Sequence, residues 1–409
     1  MIYRTVPVST EFDLNAVCGG DGVLFVQSGI GSAGRNEILR TDSDAIRAVL
    51  NEMILSRHAQ PTESTLASPI AFGLVPFLPE NPSVFLLMGA TFTKHSDGSA
   101  TMTVVSDSED DLTDESLQTL LASSNDSRPP RPSSNSYRVS PVMPVGRYLD
   151  TVTAARDAVR AGLLRKAVIA RDIEVHADDP IDTHAVLLRL RALFGSSYRY
   201  CINNMIGASP ELLVEVAGRT VRSHPLAGTA PRSGDAETDA ALAEALIAST
   251  KDQLEHRVVI DMVHDTLLPH CSYLDWEAEP SIVTVANVQH LGTAIEGALH
   301  DPPAHVFTLV QALCPTPALG GFPSSEAIDF ITEHEEMDRN FYGGAVGWMN
   351  RDGDGCFAVT IRCAELSNDR RSARLFAGGG IVADSNPYSE LAETQAKFQA
   401  MLRAITQEN

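Results

Sequence analysis

Lysine is the informative residue, because the chain nearly does without it. Of 31 basic residues, 27 are arginines and four are lysines: Lys94, Lys166, Lys251 and Lys397. Arginine is the generic cation here, so a retained lysine points to a task arginine cannot perform. Proton transfer is one, since a guanidinium keeps its proton in a protein and an ammonium can lose it. Lys166 stands out because it opens the apolar run Lys166-Ala167-Val168-Ile169-Ala170. A second set is Glu390-x-x-Glu393-x-x-x-Lys397, whose spacings of three and four share one helical face. That face reads either as a solvated ion pair or as carboxylate ligands for Mg2+, an ion that takes one or two carboxylates plus water and substrate oxygens. Lys251-Asp252-Gln253-Leu254-Glu255-His256 carries the same two readings. Gly29-Ile-Gly31-Ser-Ala-Gly34 fits G-x-G-x-x-G, but a fresh helix start at Thr41-Asp42-Ser43 follows it. A turn between strands is predicted there, with no nicotinamide site. No H-E-x-x-H, P-loop, G-x-S-x-G or G-x-C-x-G elbow occurs.

The elements that must carry these groups follow from periodicity. Strands are predicted at Val23–Val26, Val84–Met88, Lys166–Val175, Tyr198–Ile206, Leu212–Val216, Ile282–Asn287, Gly343–Trp348, Cys356–Cys363 and Arg374–Phe376. Helices are predicted near Asp44–Leu55, Tyr148–Leu164, Thr183–Phe194, Glu237–Ala248, Lys251–Leu268 with Ser249 as cap, Val306–Leu313, Ser325–Glu335 and Ser389–Thr406. Asn386-Pro387 suits the cap and first position of the last helix. Ser106–Ser140, rich in Ser, Asp and Pro, is predicted to include a mobile connection. Strands outnumber regular strand–helix alternations, so the fold class is α+β, with large mixed sheets covered by helices.

Bulk properties narrow the function classes. A net charge of −22 disfavours nucleic acid and anionic membranes as partners. The apolar runs are far shorter than the ~20 residues of a membrane span, and Met1-Ile2-Tyr3-Arg4 does not begin a signal peptide. Six scattered cysteines form no C-x-x-C pair, as expected of thiols in a reducing cytoplasm.

Read in order, the remaining motifs become specific. They are Lys166-Ala-Val-Ile-Ala-Arg171, Ser209-Pro-Glu211-Leu-Leu213, Pro225-Leu-Ala-Gly228-Thr229-Ala-Pro-Arg232 and Lys251-Asp-Gln-Leu-Glu255-His256. Gln289-His290-Leu-Gly-Thr293, Pro315-Thr-Pro-Ala318-Leu319-Gly-Gly-Phe-Pro323 and Phe341-Tyr342-Gly-Gly344 follow. The last are Thr360-Ile-Arg362-Cys-Ala364, Ala377-Gly378-Gly379-Gly-Ile381 and Glu390-x-x-Glu393-x-x-x-Lys397. This series resembles the chorismate-utilising enzymes: isochorismate and salicylate synthases and the large subunits of anthranilate and aminodeoxychorismate synthases. The likeness runs from about residue 148 to 409, the expected catalytic region. Residues 1–140 match loosely, at Gly73-Leu-Val-Pro76-Phe77, as the N-terminal part of one domain of two mixed or antiparallel sheets packed together, with helices outside.

The resemblance implies Mg2+ held by Glu255, Glu393 and, through water, Glu390. It places Arg362 and Tyr342 on the enolpyruvyl carboxylate, where a planar fork of donors suits a carboxylate, with backbone N–H groups of Gly378 and Gly379 close by. Gly228, Thr229, Lys397 and His290 fall at substrate-contacting positions. Lys166 is implied as general base and Glu211 as general acid, which needs a neutral lysine and a protonated glutamate; one apolar, water-poor pocket would favour both. Ala318-Leu319 looks like the water-using members, since ammonia users carry Thr-Val and salicylate synthases a Thr-Ala type pair. Pro225-Leu-Ala-Gly228 agrees, while Thr229-Ala-Pro-Arg232 looks partly like the aminating group. The expectation is a monomeric, cytoplasmic isochorismate synthase acting on chorismate, with salicylate synthase or an ammonia-using synthase as the alternative. The product would feed siderophore, menaquinone or salicylate-derived metabolism, and Pro-Thr-Pro-Ala-Leu looks more like the siderophore enzymes.

Overall fold

Alternation with a period of two organises the interior. In the strand Val23–Gln27, Val23 and Phe25 face one core while Leu24 and Val26 face another. The computed structural model describes residues 1–63, 67–124, 135–285 and 288–407. Among these, 20 strands join in one hydrogen-bonded set and three more form a small separate sheet. The long strand Val84–Lys94 is where the large set turns.

From its first half, pairing runs through Ile70–Val75, Ala345–Asn350, Gly355–Val359, Leu212–Ala217, Thr220–His224 and Ile295–Leu299 to Cys271–Trp276. Along its other edge it runs through Ile30–Thr41, Val23–Gln27, Tyr198–Ile202, Met205–Ser209, Cys363–Leu366 and Ser372–Ile381 to Lys166–Ala177. All these pairs are antiparallel. The two arms share one core, in which Phe25 and Tyr200 of one arm join Phe72, Val214 and Phe357 of the other. The second arm buries its opposite face under the helices Thr183–Leu193 and Pro387–Thr406, through Leu187, Leu190, Phe398 and Met401. Helices Val145–Arg160 and Ser324–His334 cover the start of the Lys166–Ala177 strand, packing Tyr148, Val152 and Ile331 on Ala167 and Ile169. The fold is therefore the α+β arrangement of packed antiparallel sheets with helices outside.

Most predicted elements are present with shifted ends. Ser249 caps Thr250–Leu267 by accepting from the Asp252 N–H at 3.2 Å, and Asn386 caps Pro387–Thr406. Gly29 lies in the tight turn joining Val23–Gln27 to Ile30–Thr41, and Gly31 and Gly34 belong to that second strand. The Ser106–Ser140 segment holds more structure than its composition suggests. A helix spans Asp114–Ser124, with Leu117 buried in the core, and Tyr137–Pro141 pairs with Ile173–Ala177. The rest of the expected connection, 125–134, lies outside the described residues, as do the last two positions of the predicted 282–287 strand. Among the described residues, no helix is long and apolar enough to cross a membrane.

Candidate active site

Two strands and two helices bring the chemically able side chains to one cavity of about 260 Å³. Strand geometry turns alternate residues of Lys166–Ala177 to one face, so Lys166 and Val168 line the cavity while Ala167 and Ile169 pack outward. The neighbouring strand Ser372–Ile381 pairs Gly380 with Val168 and Gly378 with Ala170. Helix Thr250–Leu267 supplies Lys251, Asp252 and Glu255; helix Pro387–Thr406 supplies Glu390, Glu393 and Lys397. Loops and strand ends add Glu211, Gly228, Thr229, His290, Ala318, Leu319, Tyr342 and Arg362. A wider open groove of about 1020 Å³ lies elsewhere, against Ser106 and Asp111, and none of the candidate residues lines it.

Glu211 and Lys166 sit in different surroundings. Glu211 is 3% exposed. Burial pushes its carboxyl up to about 7, against the lowering pull of the Leu226 N–H and of the Lys166 and Arg362 charges. Lys166 is equally buried but not in an apolar setting: its Nζ donates to Glu255 Oε1 at 2.7 Å. The predicted water-poor, apolar surround is thus corrected for Lys166, which faces a carboxylate. Gly380 makes room for that pair, because a Cβ there would lie 2.7 Å from Lys166 Cε and 2.8 Å from Glu255 Oε1.

His290 holds a second cation of the cavity, Arg362. Burial, then the Arg362 and Lys397 charges, lower its pKa to about 3, so the ring is neutral. Its Nδ1 lies 3.1 Å from the Gly228 carbonyl, which can only accept, so Nδ1 carries the proton. Nε2 is then the acceptor for Arg362 Nη2 at 3.2 Å. Thr229 Oγ1 lies 3.1 Å from the same Nδ1. Gly228 has φ +75° and Arg362, not a glycine, has φ +50°; left-handed backbone at a half-buried arginine is strain of the sort found at functional sites. Tyr342 stacks on Phe376 with centroids 5.2 Å apart.

The acidic helix face turns inward to the cavity, with Glu390 buried and Glu393 and Lys397 half-buried. Lys397 Nζ donates to the Gly378 carbonyl at 2.7 Å and pairs with Glu393 Oε1 at 2.6 Å. Burial would raise Glu393, but the charge and hydrogen bond of Lys397 together with the other positive groups nearby, Arg362 among them, make the net shift downward. Glu390 is raised, by burial first and then by Glu393. Two neighbouring carboxylates, Glu390 buried and Glu393 partly exposed to the cavity, make a hard oxygen donor set suited to Mg2+. Among the described residues no three acidic, histidine or cysteine side chains converge as a ready chelate, so an ion held at Glu255, Glu390 and Glu393 would need water or substrate oxygens to complete its shell.

The structure gathers every predicted site residue but one around the cavity. The exception is Gly379. Val168 and Ala170 direct their N–H groups to Gly320 and to Glu335, so the register leaves Gly379 hydrogen-bonded to Ile169. Gly378 and Gly380 hold the free edge instead. Sequence reading missed Gly380, Lys251 and Asp252 as lining residues. Lysine scarcity was a usable signal for Lys251; nothing in the sequence distinguished Gly380 from Gly379.

The chain is similar to known proteins over most of its length. The model of the chorismate binding enzyme family matches residues 29–406. Isochorismate synthase DhbC of Bacillus subtilis is 39% identical over 282 residues, covering 66% of this chain and 70% of that one. The vibriobactin-specific isochorismate synthase of Vibrio cholerae is 34% identical over 345 residues, covering 82% and 79%. Among solved structures, the menaquinone-specific isochorismate synthase MenF of Escherichia coli superimposes with a TM-score of 0.84 at 24% identity, covering 99% and 94%, a likeness of fold.

Proposed function

The chain belongs to the chorismate-binding enzyme family, and from that premise we propose that it converts chorismate to isochorismate. One observation carries the reading: a buried glutamate with a pKa of about 7 faces the same cavity as a buried lysine. A carboxyl near 7 is half protonated at neutral pH and can deliver a proton to a departing hydroxyl. Water attacks C2 of chorismate and gives a proton to Lys166. The ring double bonds shift, the C4–O bond breaks, and Glu211 protonates the leaving hydroxyl. One water enters and one leaves, so the reaction is an isomerisation without redox change. Lys166 acts once it has shed its proton, and exchange with solvent resets both groups.

Arg362, held by neutral His290, and Lys397 offer positive charge to a substrate with two carboxylates, with Gly228 and Thr229 on the same wall. Glu255, Glu390 and Glu393 would hold Mg2+, which when bound supplies positive charge to the ring carboxylate. Ala318 and Leu319, at the position where ammonia users carry Thr-Val, support water as the nucleophile. The test is product identification from chorismate, Mg2+ and purified protein. Isochorismate should dominate, and saturating ammonium should leave it so. Salicylate as the main early product, or anthranilate on adding ammonium, assigns the chain to the salicylate-forming or ammonia-using class instead.

A further inference from the structure

Behind the cavity wall lies an ion pair that touches none of the reacting groups and holds the segments carrying several of them. Glu335 is 1% exposed and Arg339 4%. Arg339 Nε donates to Glu335 Oε2 at 2.8 Å, and Nη2 reaches Glu335 Oε1 as well. The same guanidinium donates to the Leu319 carbonyl at 2.8 Å and to the Val168 carbonyl at 2.7 Å. Glu335 Oε1 in turn accepts the Ala170 N–H at 2.7 Å. The Arg339 carbonyl accepts the Tyr342 N–H at 2.8 Å, and the guanidinium lies 4.2 Å from the centre of the Phe77 ring. Three segments of the cavity wall therefore meet on one arginine: the Lys166 strand, the Ala318–Leu319 loop and the turn bearing Tyr342. Stability alone explains this poorly, because burying an ion pair typically costs about what the pair returns.

We propose that Glu335 and Arg339 form a positioning unit that fixes the spacing between Lys166 on its strand and Leu319 on its loop, and so sets the rate of the chemical step. Neither residue lines the cavity; Arg339 acts through the backbone of Val168 and Leu319, which do, and Glu335 through Arg339 and the Ala170 N–H beside Val168. The proposal rests on the isochorismate-forming reading for its catalytic consequence, but not for its structural one.

Arg339→Lys is the discriminating variant. It keeps a cation against Glu335, so no buried charge is left alone, yet one ammonium cannot imitate a fork that serves a carboxylate and two carbonyls. Displacing a catalytic group by about 1 Å costs on the order of 100-fold, so kcat should fall by roughly 10- to 100-fold. Chorismate affinity, read by calorimetry, should stay within about threefold, as expected for a group that does not touch substrate. Hydrogen exchange should quicken at the amides of Val168, Ala170, Leu319 and Gly320 and not along Tyr198–Ile202. Glu335→Asp, which keeps both charges and shortens the arm by one methylene, supplies the same readings where Arg339→Lys fails to fold. Unchanged kcat, binding and rate lost in equal proportion, or exchange quickened throughout the sheets would each overturn the proposal. Should the wild-type protein form no isochorismate, the functional reading fails while the exchange pattern still decides the positioning role.

Discussion

Replacing Glu211 by glutamine should make the protein more stable at alkaline pH and nearly inactive. A carboxyl that titrates at about 7 in the fold and near 4.5 in the unfolded chain is harder to ionise inside by roughly 3 kcal/mol. The native state then holds a proton that the unfolded chain releases. Its stability contribution is complete below about pH 4.5 and declines as the pH climbs through about 7. Between pH 5 and pH 8 the wild-type protein loses roughly 2.5 kcal/mol from this one group. Glutamine has nearly the shape of the protonated acid and no ionisation to resist. The stability difference between Glu211→Gln and wild type should therefore widen by roughly 2.5 kcal/mol over that interval. Taking the difference cancels the contributions of the other acidic residues, which both proteins share. Urea unfolding at pH 5, 6, 7 and 8 reads it directly, alongside turnover of chorismate. Unfolding curves that stay parallel across the four pH values would refute the raised carboxyl, and full activity in the variant would remove Glu211 from the proton transfer.

Lys166→Gln should abolish turnover while leaving chorismate binding within a few fold, and arginine should not restore activity because it stays charged; calorimetry showing lost binding would make Lys166 an anchor instead. Gly380→Ala should keep the fold, since the position is ordinary strand, yet disturb the Lys166–Glu255 pair 2.7–2.8 Å from the added carbon; wild-type kcat with a normal melting temperature would show that the pair tolerates displacement. Glu393→Gln and Glu255→Gln should each weaken Mg2+ binding, measured by titrating the metal alone, and abolish activity; variants that remain active in EDTA would remove the metal from the site.

How much of this was legible in the sequence depended on whether the signal was local. Glu390, Glu393 and Lys397 were readable as one face because helical spacing is a local rule, and Lys166 because scarcity needs no structure. The readings failed where a partner segment decides. Which of three consecutive glycines presents its amide depends on the register with Val168–Ala170, and that register comes from a strand some 200 positions away in the chain. The helix Asp114–Ser124 was hidden by a polar composition that its few buried residues, such as Leu117, do not offset in sequence. Glu335 and Arg339, four apart, have the spacing of an ordinary surface pair; only the packing of Phe77 and the Lys166 strand around them makes them interior. Lys166 was predicted to lie among apolar neighbours, and its run of sequence neighbours is apolar, but the group that meets its ammonium is Glu255, 89 positions away.

The near-absence of lysine has a practical consequence for chemical modification. Lys94 lies over the Phe12 ring, and the other three lysines all border the cavity. Lys166 is buried and ion-paired, and Lys251 is exposed at the rim. A reagent that acylates amines thus finds few targets on this surface beyond the chain's α-amino group, and the foremost is at the entrance to the site. Labelling that would be scattered on a lysine-rich enzyme becomes a local probe here, with occupancy of the cavity read as protection of a single side chain.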